Sequence, residues 1–227
     1  GGSKVRPFTE DLLLALALAA GTDQEKEVVD FSILAYFFLL RIDEALPLGD
    51  KDLAISAGNC VRVHIAMSKT DQEGLGVDRR AKCVCRAVAR DPLAAARHRP
   101  DWGSLVCPFH SARRILTARR TTQARRVGRL SGAGDQDGLP YRSYLRTLDH
   151  LVKKAGRMPM IIVKQGNKLV KKRVFGGHSG RRGGAQALAR AKVPTALIKL
   201  WGRWRSNAVD RYLEEAALEN AEEAIAQ

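Results

Sequence analysis

The residues of this chain that could do chemistry concentrate between Gly177 and Leu213, in GHSGRRGGAQALARAKVPTALIKLWGRWRSNAVDRYL. His178 and Arg181 form a His-x-x-Arg in a glycine-rich setting. Gly202-Arg203-Trp204 follows, with Ser206 two residues on, and Tyr212 stands ten residues after Gly202. Upstream lie Arg41, in Arg41-Ile42-Asp43-Glu44-Ala45-Leu46, and Lys69, in Ser68-Lys69-Thr70. A guanidinium offers a planar fork of donors to an oxyanion. A tyrosine phenol, with a pKa of about 10, becomes a nucleophile when a neighbour helps it lose its proton. Histidine and lysine are residues that move protons. Each also has a plain structural reading. Arg41 and Glu44 would pair as an ion bridge at a helix C-terminus, and Lys69 would be a solvent-exposed lysine at a hairpin mouth.

These residues need elements to hold them. Phe8 to Ala20 reads as a short buried helix and Asp23 to Leu46 as a second, with Thr22 or Asp23 as its N-cap. Its second half, FSILAYFFLL, is apolar on all sides and belongs deep in the core. A β region follows. Asp52–Ala57 and Cys60–Ser68 flank the turn pair Gly58-Asn59. Val61, Val63, Ile65 and Met67 alternate with Arg62, His64, Ala66 and Ser68, the period of a half-buried strand. Val77–Ala89 returns as a third strand, which puts Lys69 in the hairpin between strands two and three. Tyr144, Leu145, Leu148, Leu151 and Val152 recur at helical spacing within Pro140–Ala155. Met160–Val163 and Lys168–Val174 read as a hairpin around Gln165-Gly166-Asn167. The glycines beside His178 allow backbone to approach something closely. Pro194 suits the first turn of a short helix, and Ser206 or Asn207 caps the helix that carries Tyr212.

Charge indicates the partner. The chain has 227 residues, a net charge of +15 and a sequence pI near 10.1. A basic excess of that size meets a polyanion, nucleic acid or an anionic membrane surface. No basic amphipathic helix with bulky apolar residues opposite is visible, which argues against the membrane surface. The apolar runs Leu12–Ala20 and Ile33–Leu40 fall far short of the roughly 20 residues of a spanning helix. Ser111–Leu130 holds seven arginines, Arg113, Arg114, Arg119, Arg120, Arg125, Arg126 and Arg129, and no acidic residue. Their pairs recur every six residues, off the 3.6-residue period, so they form no single helical stripe. We read them, with Arg182 and Arg205, as a surface that tracks phosphates. Ser131–Gly138 is a loop.

The four cysteines form no secreted disulfide framework, so a reducing compartment is expected. Cys83-x-Cys85 and Cys107-x-x-His110 supply zinc-ligand types, but their spacing matches no standard finger, and free thiols are the expectation. Gly1-Gly2-Ser3 reads as an expression scar and the chain as an excised domain.

In chain order, Arg41, Lys69, His178, Arg181, Gly202-Arg203-Trp204 and Tyr212 resemble the catalytic domain of the tyrosine recombinases (phage-integrase family) over roughly Phe8 to the C-terminus. Arg41 to Leu46 looks like the family's first arginine box, Ser68-Lys69-Thr70 its hairpin lysine, and His178-Ser179-Gly180-Arg181-Arg182-Gly183-Gly184-Ala185 its second box. The Gly-Arg-Trp-x-Ser stretch is similar to recombinases of eukaryotic mobile elements, DIRS-type retroelements and Cryptons, which would place the protein in the nucleus, or at the nucleoid if bacterial.

The resemblance implies an α+β, mainly helical domain over residues 4–227 with a small antiparallel sheet. It implies cutting and rejoining of double-stranded DNA through a 3′-phosphotyrosine on Tyr212, with neither metal nor ATP. Arg41 and Arg181 would hold the phosphate, supported by Glu44. Lys69 would protonate the leaving oxygen, and His178 would act as base or phosphate stabiliser. The family places His or Trp nine residues before the tyrosine. Here that is Arg203, with Trp204 one later, and either fills the role. The tail, about 213–227, reads as a helix that folds back on its own core or, as the resemblance implies, docks on a second copy in a dimer or tetramer on DNA. The family's N-terminal core-binding domain is absent from this sequence. A catalytically silent DNA-binding protein and a type IB topoisomerase or telomere resolvase are the alternatives.

Overall fold

The computed structural model of the chain describes residues 5–65, 76–85, 103–127 (side chains to Thr121), 139–204, 209–210 and 213–214. Lys69, Arg129, Arg205, Tyr212, the tail beyond Glu214, the loop Ser131–Gly138 and the side chains of Arg125 and Arg126 lie outside that description. So do Met67, Arg86 to Ala89, and the Ser206 and Asn207 caps.

The core is organised on one helix. α1 (Glu10–Ala19) leads into α2 (Asp23–Phe37), whose start is set by a capping box. The Thr22 hydroxyl accepts from Glu25 N, and the Glu25 carboxylate accepts from the Thr22 and Gly21 amides. Those two backbone donors, and then Lys154, hold the Glu25 carboxyl down at about 2. Phe31 to Leu40 is buried throughout, matching its all-round apolar sequence.

The second helix is shorter than the sequence pattern predicts. It ends at Phe37, because Leu39 adopts a left-handed φ of 51°. Leu40 N reaches back to Ala35 O, so the end is a Schellman turn with leucine at the position that usually holds glycine. The strain is offset by burial: Leu39 is fully enclosed, packed with Ala185, Leu188 and Ile198. The chain then restarts as α3 (Ile42–Ala45), and this break is what places Arg41.

β1 (Leu53–Ser56), β2 (Cys60–Ile65) and β3 (Val77–Lys82) form an antiparallel sheet in the order β1-β2-β3. Val61, Val63 and Ile65 face inward, as their alternation predicts. α4 (Pro108–Val127) packs on this sheet and on α2. α5 (Tyr141–Lys154) also packs on α2, where Tyr144 Oη meets Ser32 Oγ at 2.8 Å. β4 (Met160–Gln165) and β5 (Lys168–Arg173) form the second hairpin, turning at Gly166 with φ of 60°. α6 (Ser179–Arg190) lies against α2, and α7 (Thr195–Gly202) against α6. The glycines of α6 make its approach to α2 possible. A Cβ on Gly184 would strike the Tyr36 carbonyl, and one on Gly183 the backbone of Phe8. Among the described residues, no helix is long and apolar enough to cross a membrane.

Candidate functional site

Three helix ends converge on one carboxylate. Ile42 N donates to Gly177 O at 2.9 Å, which sets the start of α3 against the loop leading to His178. Arg41 is the N-cap residue of α3, and its amide donates to Glu44 Oε2 at 2.8 Å. The same carboxylate receives Arg203 Nη2 at 3.0 Å and lies 3.5 Å from both Arg181 Nη1 and Arg41 Nη1. The Glu44, Arg181 and Arg203 side chains are 8%, 6% and 11% exposed, whereas Arg41 keeps 27%, so the cluster opens to solvent on the Arg41 side. The Arg41–Glu44 bridge that sequence alone suggests is present, but it is one part of a three-arginine grouping.

Arg181 is braced from two further sides. Its Nη2 donates to Gly202 O, and its guanidinium stacks on the Trp204 ring, 4.3 Å from the centroid. Arg203 and Trp204 arrive by another left-handed helix end. Arg203 has φ of 59°, its amide reaches Leu200 O and Trp204 N reaches Lys199 O, the two bonds of a Schellman turn. Gly202 is required by the ring that folds back over it, since a Cβ there would overlap Trp204. The turn therefore puts both residues in the site, Arg203 on Glu44 and Trp204 under Arg181. The Arg203 Nε is buried with no acceptor among the described residues.

His178 is the N-cap residue of α6, with its ring at the surface. Partial burial, then the charges of Arg41 and Arg181, push its pKa below the ordinary 6.5. The imidazole is thus neutral at neutral pH, able to accept a proton. Beyond Trp204, Val209 and Leu213 are buried against the Leu39–Ala185–Leu188–Ile198 cluster, and Asp210 pairs with Lys199 at 2.8 Å.

The remaining arginines divide. Arg113 and Arg120 are exposed on α4. Arg114 is bound to buried Asp30, and Arg119 donates to Leu46 O and lies over the Phe31 ring. Arg182 is 6% exposed and donates to Val5 O. The regular helix of α4 thus turns the arginine run in more than one direction, as its six-residue spacing implies.

One contributor was not anticipated from sequence. Arg79 on β3 donates to Leu200 O at 3.0 Å and Trp201 O at 3.4 Å, tying the sheet to the last turn of α7. Its signal is register: Arg79 shares the inward strand face with Val77 and Ala81, where a cation needs a partner.

No protein-family model and no curated protein sequence matches this chain. Among solved structures it is similar to the XerH site-specific recombinase bound to palindromic difH substrate in a post-cleavage complex. The TM-score is 0.56 at 16% identity, covering 97% of this chain and 52% of that one. The pre-cleavage complex of XerH with difH matches with a TM-score of 0.54 at 16% identity, over 96% of this chain and 53% of that one. The chain therefore spans about half the length of the structures it matches. The likeness is one of fold: the chain shares with these recombinase structures a mainly helical architecture with a small antiparallel sheet.

Proposed function

We propose that this domain cuts and rejoins DNA as the catalytic part of a site-specific recombinase, through a covalent bond to Tyr212. The observation that carries the reading is the gathering of Arg41, Arg181 and Arg203 around the single carboxylate of Glu44, beside a neutral His178. Three cations facing one anion leave a local surplus of positive charge, suited to a phosphodiester whose non-bridging oxygens gain negative charge in the transition state. The fold likeness to a DNA-cleaving recombinase supports the same reading.

In the proposed reaction the Tyr212 oxygen attacks the scissile phosphorus and the bond to the 5′-oxygen breaks. The phenolic proton passes to the His178 imidazole, and Lys69 gives a proton to the leaving 5′-oxygen. Arg41 and Arg181 hold the non-bridging oxygens through attack and departure. Arg203 and Trp204 keep Arg181 and Glu44 in register, and the Arg203 Nε adds a donor. The 3′-phosphotyrosine keeps the phosphodiester's bond energy, so a second 5′-hydroxyl can reverse the step and join without ATP. Exposed Arg113 and Arg120 would contact the DNA backbone, and the segment after Tyr212 would dock on a second copy.

Covalent capture tests this. Wild-type and Tyr212→Phe protein are incubated with nicked or supercoiled DNA and then denatured. An adduct with the wild type alone supports the reading. Tight, salt-sensitive binding by both without an adduct overturns catalysis in favour of a DNA-binding role.

A further inference from the structure

We propose that Cys83, Cys85, Cys107 and His110 bind one structural zinc ion. One ligand atom from each of the four residues falls within 4.8 Å of every other. Within that group Cys83 Sγ and Cys107 Sγ are 3.7 Å apart, and His110 Nδ1 is 3.3 Å from Cys85 Sγ and 3.8 Å from Cys83 Sγ. A tetrahedral zinc with Zn–S of about 2.3 Å and Zn–N of about 2.05 Å has edges of about 3.8 Å between sulfurs and about 3.6 Å between sulfur and nitrogen. The three separations cluster around those edges. They are far from the roughly 2.05 Å of a disulfide.

The fold brings the ligands in as two pairs. Cys83 and Cys85 follow β3, and the Cys83 amide extends the sheet ladder to Asn59 O at 2.8 Å. Cys107 stands at the head of α4, and His110 lies one turn in, with Ser111 N bonded to Cys107 O. Cys-x-Cys at a strand end and Cys-x-x-His at a helix start each direct two ligands to one point. Spacing alone could not reveal this, because no linear motif shows the sheet end and the helix start meeting.

A lone cysteine serves as a small apolar side chain, and that reading suits the half-buried Cys60 on β2. It does not account for three thiols and an imidazole nitrogen facing one another. Three soft thiolates and one imidazole in tetrahedral array select zinc, and four protein ligands leave no open position for catalysis. Cys83 and Cys107 are buried while Cys85 and His110 are partly exposed, so the ion has a path in. On binding, the three thiols lose their protons to solvent and the imidazole coordinates as the neutral ring. The ion would clip β3 to α4. It would thereby hold the strand that braces α7 through Arg79, and the β2–β3 hairpin in whose connection Lys69 lies.

The test is metal content of the purified protein by plasma mass spectrometry, followed by chelation and refilling with cobalt(II). The proposal expects about one zinc per chain. It also expects the intense visible and thiolate charge-transfer bands of tetrahedral cobalt, and a fall in melting temperature on chelation. Cys85→Ser should weaken retention and alter the cobalt spectrum, whereas Cys60→Ser should change neither. A wild-type protein that takes up no zinc when expressed with it, and gives only the pale spectrum of octahedral cobalt, overturns the site. So does zinc retained and spectrally unchanged in Cys85→Ser. If Cys107→Ser does not fold, the wild-type metal content and cobalt spectrum still decide.

Discussion

Asp30 on α2 and Glu44 on α3 are both nearly buried carboxylates bound to arginine, and they differ in charge arithmetic. Among the described residues Asp30 is paired with one cation, Arg114, and is also hydrogen-bonded by Ser111. Arg114 Nε and Nη2 both reach its oxygens, Nη1 donates to Ser104 O, and Nη2 also meets Ser111 Oγ. Burial pushes the Asp30 carboxyl up and Arg114 draws it back, and the pair is neutral and saturated. Glu44 faces Arg41, Arg181 and Arg203, one negative charge against three positive. Gathering like charges costs free energy in the unliganded protein. A phosphate arriving beside Arg41 would remove that cost. A balanced pair is consistent with structure alone, and an unbalanced cluster with an anion that binds there.

The comparison can be broken at either end. Arg114→Ala leaves Asp30 buried and unpaired, and should cost about 3–5 kcal/mol of stability in urea unfolding. The folded fraction should still form the covalent adduct. Undiminished stability with lost DNA binding would make Arg114 a DNA contact and dissolve the contrast. Arg181→Lys keeps the charge but loses the fork. A charge-assisted bond is worth about 1.5–3 kcal/mol, so adduct formation should slow by about 10- to 150-fold. Its stability loss should be smaller than that of Arg114→Ala. Glu44→Gln removes the counter-charge and one anchor of Arg203. Adduct formation should fall by about tenfold, roughly one good hydrogen bond, while DNA affinity at low salt stays level or rises. A weaker affinity with an unchanged rate would mean that Glu44 serves binding rather than alignment.

Much of this site was legible in sequence because its parts are local. His178-x-x-Arg181 and Arg41-x-x-Glu44 each span one helical turn, and the alternation through β2 placed its inward residues correctly. The site's assembly was less legible. Continuous apolarity predicted α2 through Leu46, since a leucine carries no sign of the left-handed turn that burial imposes at residue 39. The ambiguity between Arg203 and Trp204 came from counting nine residues back from Tyr212 along the sequence. A Schellman turn brings both inward, one onto Glu44 and one under Arg181. In the arginine run, composition could not separate Arg114 from Arg113, because the acid that takes Arg114 lies 84 residues away on α2. The nearness of the two cysteine pairs was hidden for the same reason, their meeting point being a property of the packed sheet and helix, while the thiols are free of disulfides as expected.

The smallest effect is the most local, and it reads the charge imbalance directly. His178 titrates below 6.5 first because of its partial burial and then because Arg41 and Arg181 stand near. With the folded pKa lowered, the unfolded chain binds the proton more readily. Stability from this group is therefore intact above about 6.5, and is lost as pH falls from there through the lower folded value. Removing a nearby cation must raise the folded value. In Arg41→Gln the His178 ring resonances, followed by NMR against pH, should titrate closer to 6.5, and the acid-side loss of stability should shrink. Arg114→Gln, which removes the same charge from the balanced pair, should leave the His178 titration where it was. Equal shifts in both variants would show that His178 feels the net charge of a basic protein rather than the surplus gathered at Glu44, and the distinction between the two groupings would fail.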